Sequence, residues 1–271
     1  MNFHSNEYIM KGVTEHLEES KEYFNTDRIV GIFYQGSGNY GLDYEHSDID
    51  TKLIVTPTFK DIAFNRSPVS TTHVRANEEH IDFKDIRLYI QTFRKQNLNF
   101  LEILFTDFKI INDEYENEWM RLVDNREAIA HYNLFQAIKS MKGIALEKYH
   151  AMEHAYPSKV EVLAKFGYDP KQVSHLVRVE EYIERYIAGE PYEDCLHPKA
   201  AEFIMDIKLG KYNLEEARKI AQSSIKHIES IADEFTQKVE NKGNPLVDEL
   251  LDDVQYNIMK SAIEKEMNKV F

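Results

Sequence analysis

Strand-like sequence stops near residue 112, and this discontinuity constrains the fold more than any other feature of the chain. Before it, hydrophobic runs of strand length, Ile29 to Tyr34 and Ile49 to Val55, alternate with helical patterns near 5–24, 59–65, 85–96 and 99–104. Shorter strand signals follow at 79–84 and 107–111, and the polar stretch from Arg66 to Glu79 reads as a loop or an edge hairpin. After it, apolar residues recur at helical spacing through about 114–122, 125–154, 171–187, 198–209, 213–239 and 245–269. Pro157, Gly167, Pro170, Gly189, Pro191, Pro198, Gly210 and Pro245 punctuate that second half. The pattern predicts an α+β chain: a small mixed-sheet core over 1–112, then an all-helical domain over 113–271. The amphipathic tail with Leu250, Leu251, Val254 and Ile258 reads as the helix that closes a bundle.

The chemistry gathers in the first half. The strand Ile29 to Tyr34 runs into a glycine-rich turn, Gln35 to Gly41, and Asp48-Ile49-Asp50 opens the next strand. Alternation along a strand puts Asp48 and Asp50 on one face, roughly 6–7 Å apart. Two carboxylates so placed repel unless a cation compensates, and two Mg²⁺ ions about 3.5–4 Å apart fit such a pair. Gly36 allows close backbone approach, and the Ser37 hydroxyl suits a phosphate oxygen. Tyr40 either stacks a base or packs, and Gly38 and Gly41 read as turn residues. His80-Ile81-Asp82-Phe83 supplies a third carboxylate, Asp82, on an adjacent strand. Asp85 reads as the N-cap of the following helix, although the reverse assignment of Asp82 and Asp85 stays open.

Gly36-Ser37, Asp48-Ile49-Asp50 and Ile81-Asp82-Phe83 together resemble the signature of the DNA polymerase β-type nucleotidyltransferase superfamily, in its bacterial and phage predicted-nucleotidyltransferase branch. The likeness covers about residues 28–111, where Asp85-Ile86-Arg87 and Lys95 to Phe105 also resemble that branch. A softer likeness, through Tyr168-Asp169-Pro170-Lys171, His175 and Arg178, reaches about residue 235. The resemblance implies Mg²⁺- or Mn²⁺-dependent transfer of a nucleoside monophosphate from an NTP to an acceptor hydroxyl, with release of pyrophosphate. It implies metal binding and catalysis by Asp48, Asp50 and Asp82, and phosphate contacts from Gly36 and Ser37. Nucleotide contacts from the helical half fall to Lys142, with Lys139 beside it, and to Lys171, His175 and Arg178, which share one helix face at i, i+4 and i+7. Two other uses of the same residues are a non-catalytic, antitoxin-like nucleotide-binding module and a metal-dependent phosphohydrolase.

Charge bears on the acceptor. The 271 residues carry a formal net charge of −14 without a dense Lys/Arg block. Long nucleic acid is gripped through basic patches, so a small molecule or a protein is the expected acceptor. No apolar run approaches 18 residues, which predicts no membrane span. The N-terminal residues lack a secretory pattern, and the expected compartment is the cytoplasm. The lone Cys195 reads as a small apolar filler. His150 and His154 read as a surface pair, and Arg126 with His131 matches the Arg-x4-His pattern of HEPN ribonucleases by two residues only.

Overall fold

A computed structural model describes residues 3–269. Helix α1 (Asn6–Ser20) precedes strand β1 (Ile29–Gln35), β2 (Asp50–Val55), the short helix α2 (Phe59–Ala63), β3 (Ser70–Val74) and β4 (His80–Asp85). Then come α3 (Ile86–Arg94), α4 (Leu98–Leu101), β5 (Lys109–Ile111), α5 (Asp113–Asp124) and α6 (Arg126–Ala130). The rest is helical: α7 (Leu134–Ala151), α8 (Val160–Phe166), α9 (Pro170–Ile187), α10 (Tyr192–Leu196), α11 (Ala201–Lys208), α12 (Leu214–Thr236) and α13 (Pro245–Asn268). The protein is α+β, with one five-stranded mixed sheet in the order β3-β4-β2-β1-β5. Strands β2 and β4 run parallel, and the β1–β2, β1–β5 and β3–β4 pairs are antiparallel. The polar stretch after Arg66 thus resolves as an edge strand, β3, in a hairpin with β4.

The two sheet faces differ. Ile32, Tyr34, Leu53, Val55, Ile81 and Phe83 pack with Ile9 and Val13 of α1 in one apolar cluster. Gly12 lets α1 sit close, because a Cβ there would lie 2.5 Å from Cδ1 of Ile49. The register then gives the opposite face to Phe33, Gln35, Asp50, Lys52, Ile54, Asp82 and Lys84. Phe33 packs there on Trp119 of α5, with ring centroids 4.5 Å apart.

The compact units divide the chain elsewhere than at residue 112. One holds the sheet with the residues up to Tyr132 and those from Gly243 onward, and the other is Asn133–Lys242. The expected helix over 125–154 breaks at this point. Asn133 leaves helical geometry and its side-chain oxygen accepts from the Gln136 N–H at 3.0 Å, starting α7 afresh. The C-terminal helix does not close the helical unit but packs on α3 and α5. Arg94 reaches Asp248 and Asp252 at 2.8 and 2.7 Å, Asn257 donates to Glu118 at 3.1 Å, and Ser261 donates to Glu114. In the helical unit α9 is central, touched by α7, α10, α11 and α12, with Val173, Leu176, Tyr182 and Ile183 inside.

Candidate functional site

Strand β1 ends where the glycine–serine turn begins. Gly36 has φ 142° and ψ −174°, a backbone region that only glycine occupies readily. Residues Ser37–Tyr40 form a 3₁₀ turn, which ends at Gly41 in the left-handed region with φ 71°. Buried Tyr34 supports the turn from below. Its hydroxyl accepts from the Gly38 N–H at 3.2 Å, and a Cβ at Gly38 would come within 2.7 Å of that oxygen. Asn39 ties the turn back to the Tyr34 carbonyl at 3.2 Å and accepts from the Thr106 hydroxyl at 2.7 Å. Gly38 and Tyr40 are buried, so Tyr40 packs, while Gly36 and Ser37 stay part-exposed.

Antiparallel pairing of Gln35 with Asp50 brings this turn beside the acidic segment. The Ser37 and Ser47 hydroxyls are 3.4 Å apart, and Ser47 directly precedes Asp48. The strand itself starts at Asp50, one residue later than the sequence suggests, and exposed Asp48 lies in the loop before it. The cause is local. Ser47 forms a turn with Tyr44, and the Ile49 N–H donates to Glu79 Oε1 at 3.4 Å instead of to a neighbouring strand. Strand alternation therefore does not relate Asp48 to Asp50. Ile49, buried against Gly12 of α1, anchors the loop between them.

The start of β4 grips the same segment. Asp50 Oδ1 accepts from the His80 N–H at 2.9 Å and lies 3.2 Å from His80 Nδ1. Glu79 is held by His16 at 3.0 Å and by Arg75 at 2.6 Å, and the other ring nitrogen of His16 meets the Thr51 hydroxyl at 2.9 Å. Burial, with the charge of Arg75 adding to it, holds the His16 imidazole below its usual range despite the Glu79 hydrogen bond.

Asp82 stands opposite Lys52 in the parallel β2–β4 register and so shares the face of Asp50. Its Oδ1 accepts from the Thr72 hydroxyl at 2.5 Å, and its Oδ2 lies 3.4 Å from the Lys52 ammonium. Asp85 pairs with Val55 and belongs to the other face. It caps α3 by accepting from the Arg87 N–H at 2.9 Å, and it also binds the Arg87 guanidinium. Lys52 is 2% exposed. Its ammonium lies 4.2 Å from the centre of the Phe100 ring, and so does that of Lys84. Burial lowers the affinity of Lys52 for its proton, and the charges of Asp82 and Glu102 offset part of this.

Lys52, His80 and Glu79 contact the segment that carries the candidate carboxylates, and motif reasoning passes over them. The signal for Lys52 was nonetheless present: a lysine directly before the apolar run Leu53-Ile54-Val55, two residues after Asp50, shares that aspartate's face.

The hard carboxylate oxygens of Asp48 and Asp50 suit Mg²⁺ or Mn²⁺. Asp82 differs, because protein donors engage both of its oxygens. Among the described residues, no three His, Cys, Asp or Glu side chains are gathered to hold a metal ion.

The remaining predicted residues lie in the helical unit. Lys142 on α7 is ion-paired with Asp233 on α12 at 2.6 Å. On α9, capped by Asp169, burial deepens from exposed Lys171 through part-buried His175 to Arg178, which is 5% exposed. The three therefore do not form a uniformly solvated face. Burial first, and then the charges of Arg178, Lys171, Lys148 and Lys208, hold His175 well below its usual pKa. Four basic side chains thus disfavour the protonated form of this imidazole. Among the described residues no helix is long and apolar enough to cross a membrane.

No family model matches the chain, and no curated protein matches it either. Among solved structures, it is similar to a nucleotidyltransferase-like protein from Exiguobacterium sibiricum 255-15, at 11% identity and a TM-score of 0.27, over 83% of this chain and 75% of that one.

Proposed function

We propose that the protein transfers a nucleoside monophosphate from an NTP to an acceptor hydroxyl in a reaction dependent on Mg²⁺ or Mn²⁺. One observation carries this reading: the Gln35–Asp50 register sets a glycine–serine turn against an aspartate-bearing loop, with Ser37 and Ser47 oxygens 3.4 Å apart. Asp48 and Asp50 would hold the cation, which when bound neutralises the triphosphate and polarises the α-phosphorus. The Gly36 backbone and the Ser37 hydroxyl contact the β- and γ-phosphate oxygens. Asp82 accepts the proton of the acceptor hydroxyl as its oxygen bonds to the α-phosphorus and the bond to pyrophosphate breaks. Glu79 and His80 position the Asp48–Asp50 segment and touch no reacting atom. In the helical unit, Lys171 and Arg178 supply positive charge for phosphate on α9, and His175 between them adds a ring nitrogen without charge. Lys142, tied to Asp233, contributes less. The net charge of −14 favours a small molecule or a protein as acceptor over long nucleic acid.

The test incubates the protein with each α-³²P-NTP, Mg²⁺ or Mn²⁺ and a cell lysate, and follows which fraction is labelled. Transfer is expected with the wild type and absent with the Asp48→Ala/Asp50→Ala variant. Labelling unaffected by that double substitution contradicts the site. Nucleotide binding without any label transfer favours the non-catalytic module, and free NMP without a labelled acceptor favours the phosphohydrolase.

A further inference from the structure

The sheet face that carries the candidate carboxylates also carries cations built into the fold. Lys52 follows Asp50 by two residues on β2, and Lys84 follows Asp82 by two on β4, so the parallel register groups all four on one face. Lys52 is 2% exposed and its ammonium lies 3.4 Å from Asp82 Oδ2, while Thr72 donates to Oδ1 at 2.5 Å. Both ammonium groups sit 4.2 Å from the centre of the Phe100 ring, whose electron-rich face attracts cations. A buried ammonium is costly without an anionic partner, so Lys52 holds Asp82 as much as Asp82 holds Lys52. A divalent cation brought to Asp82 would have to displace one ammonium and sit close to a second of the same sign.

We infer that Lys52 supplies the positive charge at Asp82 that a second metal ion would otherwise supply, so that the site takes one divalent cation, on Asp48 and Asp50. This rests on the nucleotidyl-transfer reading and refines it. Asp82 then acts on the acceptor from a fixed ion pair and not as a metal ligand. Lys52 is the residue that sets how many cations bind.

The test is a Mn²⁺ titration followed by electron paramagnetic resonance, on the full chain with saturating α,β-methylene-ATP. One bound Mn²⁺ per chain is expected for the wild type. Asp50→Asn is expected to weaken it by about tenfold or more, and Asp82→Asn to leave its affinity nearly unchanged. Lys52→Met, close in shape but uncharged, is expected to raise the count from one to two by freeing Asp82. Circular dichroism checks that each variant is folded, and the wild-type count needs no variant at all. Two Mn²⁺ ions in the wild type, an unchanged count of one in folded Lys52→Met, or equal losses in Asp82→Asn and Asp50→Asn would overturn the inference while leaving nucleotidyl transfer standing. No Mn²⁺ bound in the presence of the analogue would overturn both.

Discussion

The two faces of the five-stranded sheet are both packed, but with opposite chemistry. Against α1 the sheet presents Ile32, Leu53, Val55, Ile81 and Phe83, an ordinary apolar layer. On the other side, beside buried Phe33 and Ile54, strands β2 and β4 also present Asp50, Lys52, Asp82 and Lys84, with Lys52 almost fully buried. Apolar burial stabilises in proportion to the area removed from water. Buried ion pairs rarely stabilise more than apolar residues of similar volume would. Apolar burial therefore accounts for the first face but not for the charged group on the second, which is why the proposed chemistry is placed there.

Substitutions can separate these two roles. The largest effect is expected on the charged face. Asp48→Ala/Asp50→Ala should reduce label transfer on the order of 10³-fold, with a stability loss of only about 1 kcal/mol from the Asp50–His80 hydrogen bond, since Asp48 is exposed and Asp50 part-exposed. A large loss of stability in that variant would show that the pair is structural. Next, Leu53→Ala on the apolar face, at a fully buried position, should cost about 2–5 kcal/mol in urea denaturation. Transfer per folded molecule should hold, and a selective loss of activity would blur the distinction between the faces.

A smaller effect concerns pH. His16 belongs to the α1 side and is held below its usual pKa mainly by burial. The unfolded chain therefore binds a proton that the folded chain refuses once pH falls below about 6.5. The stability conferred by neutral His16 is present above that value and is lost as pH falls toward the folded pKa. His175 in the helical unit, lowered in the same direction, adds to the slope. Urea midpoints measured from pH 7 to pH 5 should fall for the wild type and fall less for His16→Gln. An identical slope in the variant would remove His16 from the account.

The smallest effect is expected at Gly12. Alanine favours the helix by about 1 kcal/mol, yet its Cβ would lie 2.5 Å from Cδ1 of Ile49. Gly12→Ala should leave the melting temperature nearly unchanged while lowering transfer by shifting the loop between Asp48 and Asp50. Unchanged transfer would mean that the loop adapts freely.

Much of the sheet was legible because its signals are local. The apolar runs ending at Tyr34 and Val55 form strands, the first extending through Gln35, and Asp85 caps α3 as its position suggested. The glycine–serine turn and the Asp48–Asp50 loop meet because a long antiparallel pairing leaves their ends opposite each other. Long-range partners were not legible. The break at Asn133 depends on one capping hydrogen bond within a continuous helical pattern. The placement of α13 on α3 and α5 depends on Arg94 and Glu118 finding partners more than a hundred residues away. Asp48 reads as strand by alternation, but Glu79 takes the Ile49 N–H and keeps the loop out of the ladder. Lys52 looks like a surface lysine until the parallel register sets it beside Asp82.

The central claim is best tested by counting pyrophosphate against transferred label in one reaction containing an α-³²P-NTP, Mg²⁺ and the labelled acceptor fraction. The account predicts one pyrophosphate per labelled acceptor, with both lost in Asp48→Ala/Asp50→Ala. Pyrophosphate release that survives the double substitution, or release without matching label on an acceptor, would contradict it.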